Sequence, residues 1–152
     1  MTKPVSPLLR EIIKLTLLFL MGGMIYFIIE VAYKGDSHYS MLITGGLCFL
    51  FMGGINSYFD RNMPLIFQML YSAVIVTLLE FISGVIVNIV FNLNVWDYSN
   101  IPFNIMGQIC PRFFVIWFML SLVGIVLDDF LRCRMFGEKM PKYTVFKRRS
   151  AA

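Results

Sequence analysis

Two polar side chains, Glu80 and Asn88, interrupt an apolar run that covers residues 64–91. A carboxylate at mid-membrane costs roughly 2.5–3.5 kcal/mol on insertion scales, so Glu80 is expected to face protein or water. Residues three or four apart share one face of a helix, and the face of Glu80 also carries Ala73, Thr77, Gly84 and Asn88. The opposite face carries the apolar residues Leu70, Val74, Leu78, Ile82, Val85 and Ile89. This pattern predicts a helix with one lipid-facing side and one polar interior side.

A second acidic residue, Glu30, follows Gly22 and Tyr26 on one face of the first apolar run. Glu30, Glu80 and Asn88 are therefore the candidates for a polar interior or a solute path, where they would bind a cation or a polar group. The alternative is that they form hydrogen bonds between helices, worth roughly 0.6 kcal/mol each. The sequence leaves both roles open.

Catalytic chemistry has little support in the chain. Enzymes need an acid–base pair or a nucleophile with its base, and the only histidine, His38, lies in a short polar loop. The three cysteines, Cys48, Cys110 and Cys133, are too scattered for a disulfide framework or a zinc site. No glycine-rich ATP-binding motif is present. We expect no enzyme, no cofactor and no metal site.

An aromatic and hydrogen-bonding motif follows the third apolar run. Its tryptophan and tyrosine suit the aromatic belt at a membrane interface, and its Asp, Ser and Asn side chains suit local turns. It could be a folded cap that closes the outer end, or a binding site. The outer-loop residues singled out are Trp96, Asp97, Tyr98, Ser99, Asn100 and Asn104.

The composition determines the fold class. Of the 152 residues, 59% are hydrophobic and 14% are charged, which is far from the soluble average. A spanning helix needs roughly 20 apolar residues. We predict an all-α integral membrane protein, a single polytopic domain over residues 1–152 with a bundle of about four transmembrane helices. The predicted helices cover residues 12–32, 41–59, 64–91 and 110–128, with a loop at 92–109 and a basic tail at 129–152; Asp128 and Asp129 are expected to mark the exit of the fourth helix.

Glycines on the predicted second and third helices are expected to pack helices closely. Small residues let backbones approach in lipid, where no hydrophobic effect drives helix association. Because four short helices cannot easily enclose a pathway alone, these faces also predict a homo-oligomer. The packing glycines are Gly45, Gly46, Gly53, Gly54 and Gly84.

The distribution of Lys and Arg predicts the orientation. With four spans both termini share one side, and that side carries eleven basic residues, whereas the other side carries Lys34 and Arg112 alone. Cytoplasmic loops are the richer in Lys and Arg, so both termini are predicted to be cytoplasmic and the 92–109 loop to face outward. Since most of the surplus charge lies in the tail, nucleic acid is not an expected partner. The eleven residues are Lys3, Arg10, Lys14, Arg61, Arg132, Arg134, Lys139, Lys142, Lys147, Arg148 and Arg149.

Several motifs together resemble a known family. GGLC at 45–48, LEFISG at 79–84, WDYSNIPFNIMGQIC at 96–110 and the DD pair at 128–129 are similar to the bacterial ABC-transporter permease family of type IV, also called CmpB-like. The likeness covers about residues 16–143, and Glu30, Glu80 and residues 96–100 match family positions. The resemblance implies a multi-pass protein of the bacterial cell membrane.

Two functions from different classes follow. The first is a permease-like subunit that moves a small solute and works with a separate ABC ATPase. The second is a small self-assembling membrane module, structural, partner-binding or holin-like, without transport activity of its own. In both, the lipid bilayer is the immediate partner of the chain.

Overall fold

A computed structural model of the chain describes residues 6–58 and 63–145, except the side chains of residues 57 and 58. Its regular structure is helical, and within these described ranges no β-strand occurs. The helices are α1 (Pro7–Lys34), α2 (Tyr39–Tyr58), α3 (Leu65–Gly84), a π-helical segment (Val85–Val90) that continues α3, and α4 (Pro111–Phe136). Four spans, Pro7–Lys34, Tyr39–Asn56, Leu65–Val90 and Pro111–Phe136, are long and apolar enough to cross a membrane. The predicted all-α class with four such helices is confirmed.

Local sequence explains where α1 and α4 begin and end. The Ser6 hydroxyl accepts a hydrogen bond from the Leu9 amide (3.3 Å), and Pro7 occupies the first turn, where its missing N–H costs nothing. Pro111 begins α4 in the same way. Gly35 and Gly137 end the two helices in the left-handed conformation, which glycine adopts without steric cost.

The fourth helix is longer than the sequence predicted. It continues past Asp128 and Asp129 to Phe136, so the prediction that these aspartates mark its exit is wrong. Both carboxylates are buried rather than released to water. The helix continues because both charges have partners. Arg132, one turn later, forms an ion pair with Asp128, and Asn56 of α2 donates a hydrogen bond to Asp129. Residues 129–136 of the predicted tail are therefore helical, and residues 146–152 lie outside the described ranges.

The chain divides into two compact units, residues 1–50 and 51–152, with the boundary inside α2. In the first unit glycines bring α1 and α2 together. A Cβ atom added at Gly22 would overlap the Phe49 ring, and one added at Gly45 would overlap Tyr26. Gly46 meets Phe19 in the same manner. Gly45 and Gly46, two of the predicted packing glycines of α2, are thus packed against aromatic side chains of α1.

Gly23→Ala is expected to lower the melting temperature of the detergent-solubilised protein. The new Cβ would overlap the backbone carbonyl oxygen of Leu42, which cannot swing aside as a side chain does. Overpacking of this kind costs about 1–3 kcal/mol. Gly124→Ala is the matched control, since its Cβ would meet only the flexible end of Met52, at 3.0 Å. Equal melting temperatures for the two variants would contradict the close approach at Gly23.

In the second unit α3 packs against α4. Met69, Ala73 and Val76 are buried on one face of α3, and Ile125 is buried on α4. The Ser121 hydroxyl of α4 lies 3.2 Å from the Met69 carbonyl oxygen of α3. The opposite face of α3, predicted to suit lipid, is exposed at Leu70, Val74, Leu78, Ile82 and Ile89.

Candidate functional site

The Glu80 carboxylate joins three elements of the second unit. Glu80 is only 3% exposed, and its two oxygens accept hydrogen bonds from different side chains. The Tyr98 hydroxyl donates to Oε1 (3.0 Å), and the Trp117 indole Nε1 donates to Oε2 (2.9 Å). Tyr98 belongs to the loop 92–110, called the cap loop below, and Trp117 belongs to α4. The Tyr98 ring also stacks on Phe113 of α4, with ring centroids 4.4 Å apart.

Asn88 fastens the cap loop to the end of α3. It lies in the π-helical segment, a wider turn that is frequent at functional sites. Its amide Nδ2 donates to the Trp96 carbonyl oxygen (3.0 Å) and to Gln108 Oε1 (2.8 Å). Its Oδ1 accepts from the Val95 amide (2.7 Å). One buried side chain thus makes three hydrogen bonds to the loop.

The cap loop has its own buried centre. Trp96 is buried, with 6% of its surface exposed, and its Nε1 donates to the Gln108 carbonyl oxygen (3.1 Å). The indole ring is therefore packed inside the protein, and its predicted place at the membrane interface stays a prediction. Gly84 makes room for the loop, because a Cβ there would lie 2.5 Å from Gln108 Oε1 and 3.0 Å from the Trp96 ring. Gly84 was predicted to pack against another helix, but the side chains nearest to it belong to the cap loop.

Polar side chains shape the tip of the cap loop. Asp97 accepts from the backbone amide (2.8 Å) and the hydroxyl of Ser99, and the hydroxyl bond, followed by the amide bond, lowers the pKa of that carboxyl. Asn104 donates to the Ile101 carbonyl oxygen (2.8 Å) and accepts from the Gly107 amide (3.0 Å). These turn bonds support the interpretation of the motif as a folded cap. Asn100 is exposed.

Further polar residues of α3 share the face of Glu80. Gln68 and Ser72 are buried three turns and two turns before Glu80, while Thr77, predicted on this stripe, is half-buried. The Gln68 amide donates to the Met63 carbonyl oxygen (2.9 Å). Gln68 Oε1, Ser72 Oγ and Thr77 Oγ1 are buried acceptors without a hydrogen-bond partner among the described residues. Gln68 and Ser72 are four residues apart and Ser72 and Glu80 eight, a helical spacing that was the sequence signal for this shared face.

Glu30 lies in the first unit and has its own partners. Its carboxylate, 7% exposed, forms an ion pair with Lys34 one turn later. It also accepts a hydrogen bond from the Ser37 hydroxyl (2.7 Å). This arrangement ties the end of α1 to the following loop. Its predicted role in a solute path stays a prediction.

A second polar centre, which the sequence analysis did not predict, lies between α2 and the last turns of α4. We call it the charge cluster: Asn56, Asp128, Asp129, Arg132 and Tyr143. Arg132 forms an ion pair with Asp128, and Asp129 Oδ2 accepts from Asn56 Nδ2 (2.7 Å) and from the Tyr143 hydroxyl (2.7 Å). Burial and the bond to Asp129 raise the pKa of Tyr143. The i, i+4 spacing of Asp128 and Arg132 was its one signal in the sequence.

Gly53 of α2 explains how the charge cluster fits. A Cβ atom at this position would overlap the Asp128 carboxyl group. The glycine therefore lets α4 bring a carboxylate against the backbone of α2, in addition to the close packing that the sequence predicted for it. Gly54, beside it, is buried.

Comparison with known proteins identifies one family. The family model described as "Putative ABC-transporter type IV" matches residues 17–145, which include both polar centres of the second unit. No curated protein and no solved structure matches the chain.

Proposed function

Because the chain belongs to the putative ABC-transporter type IV family, we propose that it is a permease-like membrane subunit that moves a small polar or cationic solute with energy from a separate ATPase. The family and the four apolar helices make it a multi-pass membrane protein related to transport. The observation that carries the finer proposal is the buried Glu80 carboxylate at the junction of α3, α4 and the cap loop.

Glu80 has the chemistry of a solute ligand. Ionisable residues inside membrane helices face the protein interior or an aqueous cavity and mark solute and ion routes. A carboxylate there binds cations and hydrogen-bond donors. Gln68 Oε1, Ser72 Oγ and Thr77 Oγ1, which have no hydrogen-bond partner within residues 6–58 and 63–145, lie along the same helix. A solute carrying an ammonium or other donor group would supply the hydrogen bonds that these oxygens lack.

The cap loop would control access to that ligand. Tyr98 reaches the carboxylate from the loop, so displacing the loop would withdraw one of the two donors described above. A solute donor group would take the place of the tyrosine hydroxyl. Access by movement of the cap loop is therefore part of the proposal.

Glu80→Gln is expected to weaken solute binding at least tenfold without preventing folding. Glutamine has the same shape but no charge, and a hydrogen bond to a charged group contributes about 1.5–3 kcal/mol. The measurement is a thermal-shift screen of small amines, amino acids and alkali cations on the purified protein, followed by titration of any that stabilise it. Glu11→Gln is the control, because Glu11 is exposed on α1. Equal affinities of parent and Glu80→Gln would contradict the role of Glu80.

An affinity pull-down from the native membrane in mild detergent tests the partner. Stoichiometric recovery of a nucleotide-binding ATPase is the expected result. Recovery of the protein alone, or of a partner that is not an ATPase, would remove the support for a permease subunit.

The orientation is a separate proposal, with both termini cytoplasmic, which the eleven basic residues on their side support. In a variant without native cysteines, Asn100→Cys is expected to react with a membrane-impermeant thiol reagent added to intact cells. Lys139→Cys is expected to react only after the cells are permeabilised. Both positions are exposed in the structure, so the reverse pattern would invert the topology.

One observation favours the alternative, a small membrane module without transport activity of its own. Glu80 and Asn88 form hydrogen bonds with other groups of the same chain, as polar side chains inside a structural module would.

The glycine faces bear on self-association. The faces at Gly45, Gly46 and Gly53 are packed against side chains of their own units, so a homo-oligomer would have to form through other surfaces. The pull-down separates the two functions.

A further inference from the structure

The charge cluster is a second site candidate, separate from Glu80. Asp128 is fully buried, and Asp129, Arg132 and Asn56 are 5%, 4% and 8% exposed. The cluster lies about two turns before the end of α4. Nothing in the proposed solute route uses it.

Two of its acceptor atoms have no hydrogen-bond partner among the residues that the structure describes. Asp128 Oδ1 and Asn56 Oδ1 are both buried, and neither receives a hydrogen bond within the described part of the chain. Leaving such an atom unsatisfied costs about as much as its lost hydration, so native proteins rarely do so. Both atoms are acceptors, so the missing component is a donor.

The contacts of the two residues place their side chains at the same face of α2. The Asp128 carboxyl group lies against Gly53, as the overlap with an added Cβ shows. Asn56 follows Gly53 by three residues and therefore shares its helix face. The Asn56 amide nitrogen bonds to Asp129, the residue next to Asp128. The asparagine side chain is thus held beside the aspartate pair.

The charges of the cluster do not balance. On α4 the two carboxylates of Asp128 and Asp129 face one guanidinium, that of Arg132, which leaves one negative charge. Among the described residues around the cluster, α2 contributes the neutral Asn56, and the segment after α4 contributes Tyr143 and the acidic Glu138. A buried charge is costly unless it is paired. One added positive charge would neutralise the buried part of the cluster.

We propose that Asp128 and Asn56 form a proton-binding site, in which a proton taken from water binds Asp128 Oδ1 and is donated in a hydrogen bond to Asn56 Oδ1. A single proton supplies the missing donor for both oxygen atoms and brings the charge of Asp128, Asp129 and Arg132 to zero. Release of the proton to water restores the ionised form. The site is independent of the solute route at Glu80.

Infrared spectroscopy of the full-length protein in lipid tests this proposal. A protonated carboxyl group has a C=O stretching band that a carboxylate lacks. The parent is expected to show such a band at acidic pH and to lose it as the pH is raised. Asp128→Asn is expected to abolish the band, whereas Glu80→Gln, which removes a buried carboxyl group outside the charge cluster, is expected to keep it.

Asn56→Ala gives a second test that leaves Asp128 in place. Loss of the acceptor is expected to weaken proton binding about tenfold, which shifts the midpoint of the titration about one pH unit lower. Asp129 retains its hydrogen bond from Tyr143 in this variant. A band that persists in Asp128→Asn, a parent without a titrating band, or an unchanged midpoint in Asn56→Ala would overturn the assignment.

Alkali cations provide the last arm of the experiment. Addition of Na⁺, K⁺ or Li⁺ at constant pH and constant ionic strength is expected to leave the band unchanged. Saturable loss of the band on addition of one of these ions would identify that ion as the ligand and overturn the proton site.

Discussion

Replacing Arg132 with methionine is expected to lower the free energy of unfolding by about 3–5 kcal/mol, the cost of removing one partner of a buried ion pair. The guanidinium is the counter-charge of the fully buried Asp128 carboxylate. Methionine fills much of the same volume but leaves that charge without compensation. The measurement is chemical or thermal unfolding of the purified protein in detergent, compared with Arg134→Met, because Arg134 is exposed on the same helix.

A double variant shows whether charge or packing causes this loss. Asp128→Asn combined with Arg132→Met removes both charges, and it is expected to be more stable than Arg132→Met alone. The loss in the single variant is also expected to shrink as the pH falls, because protonation of the carboxylate removes the buried charge. A double variant as unstable as the single one, together with a loss that does not depend on pH, would show that the arginine acts through packing.

Asn88→Leu is expected to release the cap loop and to lower the free energy of unfolding by about 2–4 kcal/mol. The substitution keeps the size of the side chain but removes three hydrogen bonds, to the Val95 amide, the Trp96 carbonyl and Gln108. Each buried group left without a partner costs about 1–3 kcal/mol, and part of this cost is recovered when the loop moves into water. The loss is therefore smaller than the sum of the three bonds.

Tryptophan fluorescence in a Trp117→Phe background reports the opening of the cap loop directly. Trp96 is then the only tryptophan in the chain, and it is buried in the parent structure. Asn88→Leu is expected to shift its emission to longer wavelength and to make it more accessible to a water-soluble quencher. Asn100→Leu serves as the control, because Asn100 is exposed in the same loop. Equal quenching in both variants would show that Asn88 does not hold the loop closed.

The two substitutions act on opposite ends of the second unit. Asn88 holds the cap loop at the end where α3 stops and α4 begins. The charge cluster lies near the other end of α4, where the Leu65 amide at the start of α3 also donates to the Thr144 carbonyl oxygen (2.7 Å). Glu80 sits between these two centres along α3.

Local patterns of residues were enough to predict several properties of the chain. Apolar runs of sufficient length predicted the four spanning helices, since every backbone group in lipid must be satisfied within the helix. The 3.6-residue period predicted which side of α3 is buried, with Glu80 and Asn88 inside and Leu70 and Ile82 outside. The motifs at 79–84 and 96–110 also predicted the family, which the match over residues 17–145 confirms.

Which side chains contact each other depends on how the helices and loops pack. Trp117 was an ordinary apolar residue of a predicted span, and its bond to Glu80 depends on how α4 packs against α3. The aspartates at 128 and 129 suggested a helix exit because isolated charges leave the membrane. Both are buried inside the protein because Arg132, Asn56 and Tyr143 converge on them, and the last two come from separate segments. Helical periodicity fixes the face on which a residue lies, but its partner depends on the placement of another element.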